Sequence, residues 1–258
     1  MAQEKLPARA QELIDFQPQH EFFVGIDSDG CAMDAMNIKQ MECFTPNTIK
    51  WWGLSNASVL VRETALYVNL YSKTRGLNRW IALAEVFKLL KQRPEVLERV
   101  QVPDGKDIQA FLDSGLPLSD AGIEEFAAAH PESAELQTAL KWGQGVNDTI
   151  AELVHGCGPF PGVKEAMAAM ADSARIDQMT VSATPNDALY REWGEHGIAQ
   201  YMAVIAGQEY GNKTQQIQFA TEGKYAAEHV LMIGDAPGDG AAADGNNALF
   251  YPINPGHE

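Results

Sequence analysis

Basic residues are scarce in this chain: 19 Lys and Arg stand against 35 Asp and Glu, a formal net charge of −16 over 258 residues. That balance argues against non-specific binding of nucleic acid or of anionic membrane, both of which require basic patches. Cysteine is scarcer still. Cys31, Cys43 and Cys157 are an odd number, widely spaced, with no Cys-x-x-Cys pair, so neither a disulfide framework nor a structural zinc site follows. No apolar run approaches the ~18 residues that cross a bilayer, and Met1 to His20 lacks the apolar centre of a signal peptide. The expectations are no membrane, no nucleic acid and a reducing, cytoplasmic compartment, with the oligomeric state left open. The 45% hydrophobic and 21% charged residues are ordinary for a globular protein.

Five short β-rich runs are present: Phe22–Ile26, Gln178–Ser182, Ala203–Ala206, His229–Ile233 and Ala248–Ile253. Helical patterns over Asn186–His196, Thr214–Ala227 and Gly240–Asn246 alternate with the later runs, which indicates right-handed βαβ units and a parallel sheet. The interval from Cys31 to Cys157 reads differently. Ala57–Leu70, Arg79–Lys91, Ile108–Asp113, Asp120–His130 and Ser133–Val154 carry helical patterning, with prolines as breakers and Ser119 and Ser133 as N-caps. The expected fold class is α/β: a Rossmann-like, doubly wound parallel-sheet core (residues 1–31 and 156–258) carrying an inserted helical domain (residues 32–155).

The chemistry concentrates where the runs end. The first run stops at Asp27-Ser28-Asp29-Gly30, and strand spacing would put both acids on one face before a glycine turn. The second ends in Ser182-Ala183-Thr184, where a hydroxyl and backbone N–H groups before a helix suit a phosphate-sized anion. The fourth ends in Gly234-Asp235-Ala236-Pro237-Gly238-Asp239, and Lys213 follows the third. Taken singly, each has a plainer alternative: a capped Asp-Gly turn, a helix-capping serine, a surface lysine. Open parallel sheets bind ligands at the carboxyl ends of their strands, and four such ends here carry reactive groups. Asp27, Asp29 and Asp235 offer oxygen ligands suited to Mg²⁺, while Lys213 and Ser182 suit phosphoryl oxygens. One Asp can attack phosphorus and the second can move the protons.

This order of segments resembles the haloacid dehalogenase superfamily across residues about 20–31 and 157–253. Asp27-Ser28-Asp29-Gly30-Cys31-Ala32-Met33-Asp34 is similar to the family's first motif, with Cys31 where Thr is common, and Phe160-Pro161-Gly162-Val163 is familiar from members with helical caps. The resemblance implies an HAD-like core and an α-helical cap that closes over it, in the phosphatase and β-phosphoglucomutase branch. It implies Asp27 as nucleophile and Asp29 as general acid/base. Ser182, Ala183 and Lys213 would bind phosphate, and Mg²⁺ would be held by Asp27, the Asp29 carbonyl and Asp235 with Asp239 in support. The partner implied is a small phosphorylated substrate. In the insertion, Tyr71–Trp80 holds three cations and resembles a cap specificity loop, with Arg75 as the anion contact; an ordinary basic turn is the alternative there. A phosphomutase shares the expected chemistry, and a phospho-Asp signalling domain or a non-catalytic binding protein on a related scaffold is the reading from a different class.

Overall fold

In the computed structural model, which describes residues 6–257, the chain divides into two compact units. One runs through Ala35 and resumes at Gly156; the other is Met36–His155. Residues 1–5 and 258, which the sequence reading included in the α/β portion, lie outside the described residues. Residues 32–35 group with the α/β unit because Met33 bridges Asp29 on one side and Pro159 on the other.

The α/β unit is built on five parallel strands: β1 (Phe22–Ile26), β2 (Ile176–Val181), β3 (Val204–Ala206), β4 (Val230–Gly234) and β5 (Leu249–Pro252). Their order is β3-β2-β1-β4-β5. β1 therefore sits at the switch point, with β2 and β4 hydrogen-bonded on either side of it, which is where such sheets present ligands. Alternation along β1 sends its side chains to two different cores. Phe23 meets Met179, Val181 and Met232 with Ile217 and Ala242 on one face, while Val24 and Ile26 meet Met167, Leu189 and Trp193 on the other. Helices Lys213–Thr221 and Pro237–Gly245 supply the first face; helices Val163–Asp172 and Asn186–Glu195 supply the second. This is the doubly wound arrangement that the alternating pattern predicts.

Three local differences have physical causes. Strand β1 ends at Ile26, so Asp27 and Asp29 are not two positions of one strand. The Asp27 N–H extends the ladder by one bond to Ile233, and then the Ser28 carbonyl accepts from Cys31, Ala32 and Met33. Gly30, at φ 85°, completes the turn. The helix expected over Thr214–Ala227 stops at Thr221, because Glu222 leaves helical geometry and Gly223 takes φ 70°. Helices at Thr45–Trp51 and Pro94–Leu97 lie where no helix was expected; in both a proline occupies the first turn, where its missing N–H costs nothing.

The helical unit holds the remaining expected helices, now Arg79–Leu90, Lys106–Leu112, Asp120–Ala129 and Ala134–Leu153. Ser119 and Ser133 cap as expected, accepting from the N–H groups of Gly122 and Leu136. Its core centres on Trp80, packed edge-on against Trp142 and Phe111. The Trp142 indole donates to Thr48 at 3.0 Å, tying the longest helix to Thr45–Trp51. The pattern over Ala57–Leu70 resolves into a helix, Ser58–Leu66, and a wider π-helical segment, Tyr67–Tyr71. No helix among the described residues is long and apolar enough to cross a membrane.

A polar hub anchors the opposite end of the sheet. Buried Asp177 on β2 accepts from the backbone of Gln19 and His20, from the His20 ring and from the Tyr225 hydroxyl at 2.7 Å. Burial alone would raise its pKa, but those donors overcome it and hold the carboxyl below its usual value. A depressed folded-state pKa contributes stability above the unfolded value, lost as pH falls through the folded one. Asp177→Asn should therefore cost about 2 kcal/mol near neutrality. The melting-temperature gap to wild type should close in acid; a gap independent of pH would contradict this.

Candidate active site

Three buried carboxylates meet at the carboxyl ends of the two central strands. Asp27 follows β1 and is 5% exposed; Asp235 follows β4 and is 8% exposed; Asp239, in the first turn of helix Pro237–Gly245, is fully buried. Oxygens from all three lie within 4.8 Å of one another. Among the described residues, the cation paired with this cluster is Lys213, the first residue of helix Lys213–Thr221, which Asn212 starts with a capping box to Gln215. Its Nζ lies 2.9 Å from Asp27 Oδ1 and 2.6 Å from Asp239 Oδ1. The other Asp239 oxygen accepts the N–H of Ala236 at 3.0 Å, so this residue both holds the lysine and ties down the loop after β4.

Gly234 makes that arrangement possible. A Cβ at this position would lie 2.3 Å from Cγ and Oδ2 of Asp239. Gly234→Ala should cost roughly 1–3 kcal/mol by overpacking and should displace Asp239 from Lys213. The checks are thermal unfolding and activity, and an unchanged melting temperature would contradict the contact.

The electrostatics of the cluster are unbalanced. Burial drives the Asp27 pKa well above the ordinary carboxyl value, and Asp239 and Asp235 push it further, against the opposing pull of Lys213. For Lys213 burial acts downward, but Asp27 and Asp239 outweigh it and keep the amine protonated. One lysine stands against three buried carboxylates, and keeping all three ionised in a low-dielectric site is costly without a further cation. A donor set of hard oxygens with that excess fits a divalent cation such as Mg²⁺. The same surroundings affect Cys31. Burial, then Asp27 and Asp235, push its thiol pKa upward, which disfavours the reactive thiolate.

Asp29 stands on the rim of this cluster, half-buried, and its Oδ2 accepts the Thr184 hydroxyl at 2.9 Å. Ser182 is buried just past β2, and its hydroxyl accepts the N–H of Thr184 at 3.1 Å, while Ala183 between them is exposed. Ser182 is not the cap of the following helix; Pro185 occupies that position. The α/β unit thus brings Asp27, Asp29, Ser182, Ala183, Lys213, Asp235 and Asp239 to one end of the sheet. Arg75 belongs to the helical unit, where it is buried and its Nη1 donates to the carbonyl of Leu70 at 3.3 Å.

Two supporting residues escaped the sequence reading. Gln216, fully buried, accepts the N–H of Ser182 and donates to the carbonyls of Ser182, Gly207 and Gly211. Trp193, also fully buried, donates its indole N–H to the hydroxyl of Ser28 at 2.9 Å, between the two acids. A helical glutamine and tryptophan carry no local signal for such roles; only the i, i+3 spacing of Lys213 and Gln216 hints that both face the same way.

No protein-family model matches the sequence, and no curated protein matches it at significant similarity. Solved structures do match in shape. One is a haloacid dehalogenase-like family hydrolase from Streptococcus pneumoniae, 17% identical, covering 91% of this chain and 85% of its own at a TM-score of 0.51. Another, from Haemophilus somnus 129pt and described as a predicted phosphoglycolate phosphatase, is 13% identical, covering 94% and 88% at 0.57. At such identities the likeness speaks for the fold, and it spans the core and the helical insertion alike. The five-stranded order centred on β1, the helices on both its faces and the inserted helical unit are the haloacid dehalogenase-like fold, and this chain has it.

Proposed function

We propose that this chain is a Mg²⁺-dependent phosphatase that hydrolyses a small phosphorylated metabolite through an aspartyl-phosphate on Asp27. The observation that carries the reading is the imbalance at the strand ends, three buried carboxylates against one lysine. Such a cluster is costly to bury unless a cation completes it, and a cation held there would in turn receive the oxygens of an anionic reactant. The carboxylates of Asp27 and Asp235 and the backbone carbonyl of Asp29 would hold the ion, with Asp239 in support through Lys213. When bound, Mg²⁺ supplies charge neutralisation between the phosphoryl oxygens and the attacking carboxylate.

The chain's own groups then account for each bond. An Asp27 oxygen forms the new bond to phosphorus as the ester P–O bond breaks, and the leaving oxygen keeps that electron pair. Asp29 gives this oxygen its proton. Water next attacks the phosphorus of the acyl phosphate and passes a proton to Asp29; inorganic phosphate leaves and the Asp27 carboxylate is restored. Ser182 and the N–H of Ala183 would take phosphoryl oxygens, and Lys213 would bridge the phosphoryl group and Asp27.

Turnover of p-nitrophenyl phosphate by the full chain, with Mg²⁺ and with a chelator, tests the reading. Metal-dependent hydrolysis is expected. A wild-type chain with no metal-dependent turnover overturns it. The specificity role expected of Arg75 is tested by Arg75→Ala on a panel of phosphorylated metabolites; equal activity on every member removes it.

A further inference from the structure

The loop after β2 connects two functions. Gln216 fixes its start by bonding both the N–H and the carbonyl of Ser182. The Ser182 hydroxyl accepts the N–H of Thr184, and the Thr184 hydroxyl then donates to Oδ2 of Asp29, across 155 positions of sequence. From the other side, the Trp193 indole fixes Ser28, the residue before Asp29. A half-buried aspartate on a turn has two soft side-chain torsions. Here one carboxylate oxygen is held by a hydroxyl whose own backbone is pinned, so the orientation of Asp29 is set by the phosphate-side loop.

We propose that Thr184 is a positioning residue for proton transfer: by holding Oδ2 of Asp29 it turns Oδ1 toward the leaving oxygen. This rests on the phosphatase reading above. The Asp29 proton moves from Oδ1 to the leaving oxygen as the P–O bond breaks, and Thr184 keeps its own proton throughout. A hydroxyl that merely closed the loop would affect all substrates alike. One that orients a general acid matters most when the leaving group is basic and needs the proton, and least when it departs readily as an anion.

The test compares kcat/KM for phenyl phosphate and p-nitrophenyl phosphate, with Mg²⁺, in wild type, Thr184→Val and Thr184→Ser. Valine keeps the shape and removes the hydroxyl; serine restores it. Thr184→Val should lower phenyl phosphate turnover about tenfold or more while p-nitrophenyl phosphate falls by no more than about threefold, with Thr184→Ser close to wild type on both. In an Asp29→Asn background, Thr184→Val should add no further loss, because the two act as a unit. Equal losses on both substrates, no loss on either, or an undiminished effect in the Asp29→Asn background overturns the role of Thr184 and leaves the phosphatase reading standing. Absence of metal-dependent turnover in wild type overturns both.

Discussion

Asp27→Asn is expected to lower kcat by at least about a thousandfold, the scale seen when a covalent nucleophile is removed, and at the same time to raise the melting temperature of the metal-free protein. The two effects share one cause. Burial and two acidic neighbours hold the Asp27 pKa above its ordinary value, so the charged form required for attack is the form the fold tolerates least. A raised folded-state pKa contributes stability fully present below the unfolded value, about 3.9, and lost as pH rises through the folded pKa. Metal-free wild type should therefore lose stability from this group as pH rises toward neutral, and the amide, which never ionises, should not. A divalent cation reverses the penalty, so the Mg²⁺-induced rise in melting temperature should grow with pH in wild type and shrink in Asp27→Asn. Thermal scans of both proteins across pH, with and without Mg²⁺, check this. An Asn variant less stable than metal-free wild type at neutral pH would contradict it.

Lys213→Met should strongly destabilise the α/β unit. The lysine bonds Asp27 and Asp239 at once, and methionine fills its volume without its charge. Removing one partner of a buried ion pair costs about 3–5 kcal/mol because the other is left uncompensated; here two carboxylates lose their partner together. Activity should fall as well, since phosphoryl oxygens lose a cation. Adding Mg²⁺ should recover part of the stability, because the ion supplies positive charge to the same carboxylates, but not the activity. Chemical unfolding at fixed pH, paired with turnover, reads both. A Lys213→Met protein of wild-type stability in chelator would mean that the carboxylates are not charged in the native fold.

Much of this site could be read from the chain because its residues sit at strand ends. β1 matches its apolar run residue for residue, and the later strands fall within one or two positions of theirs. Each reactive group follows an apolar run that a buried parallel strand requires, so the topology alone brings Asp27 and Asp235 together on neighbouring strands. The supports could not be read in the same way. Gln216 and Trp193 act through contacts that join distant parts of the chain. Thr184 reads as an ordinary turn residue until Asp29, from another strand end, is placed against its hydroxyl. The helical unit shows a similar division. Ser119 and Ser133 announce their helices through local capping, whereas the π-helical segment at Lys39–Phe44 was not expected and the one at Tyr67–Tyr71 reads in sequence as a continuation of an ordinary helix. Pro94 looks like a breaker in sequence but sits in the first turn of a helix.

Rapid acid quench during turnover of p-nitrophenyl phosphate, followed by peptide mass spectrometry, tests the central claim most directly. The expected result is a phosphoryl adduct on Asp27 that forms only when Mg²⁺ is present and is absent from Asp27→Asn. Turnover with no trapped adduct in a pre-steady-state burst, or an adduct on any other residue, would contradict it.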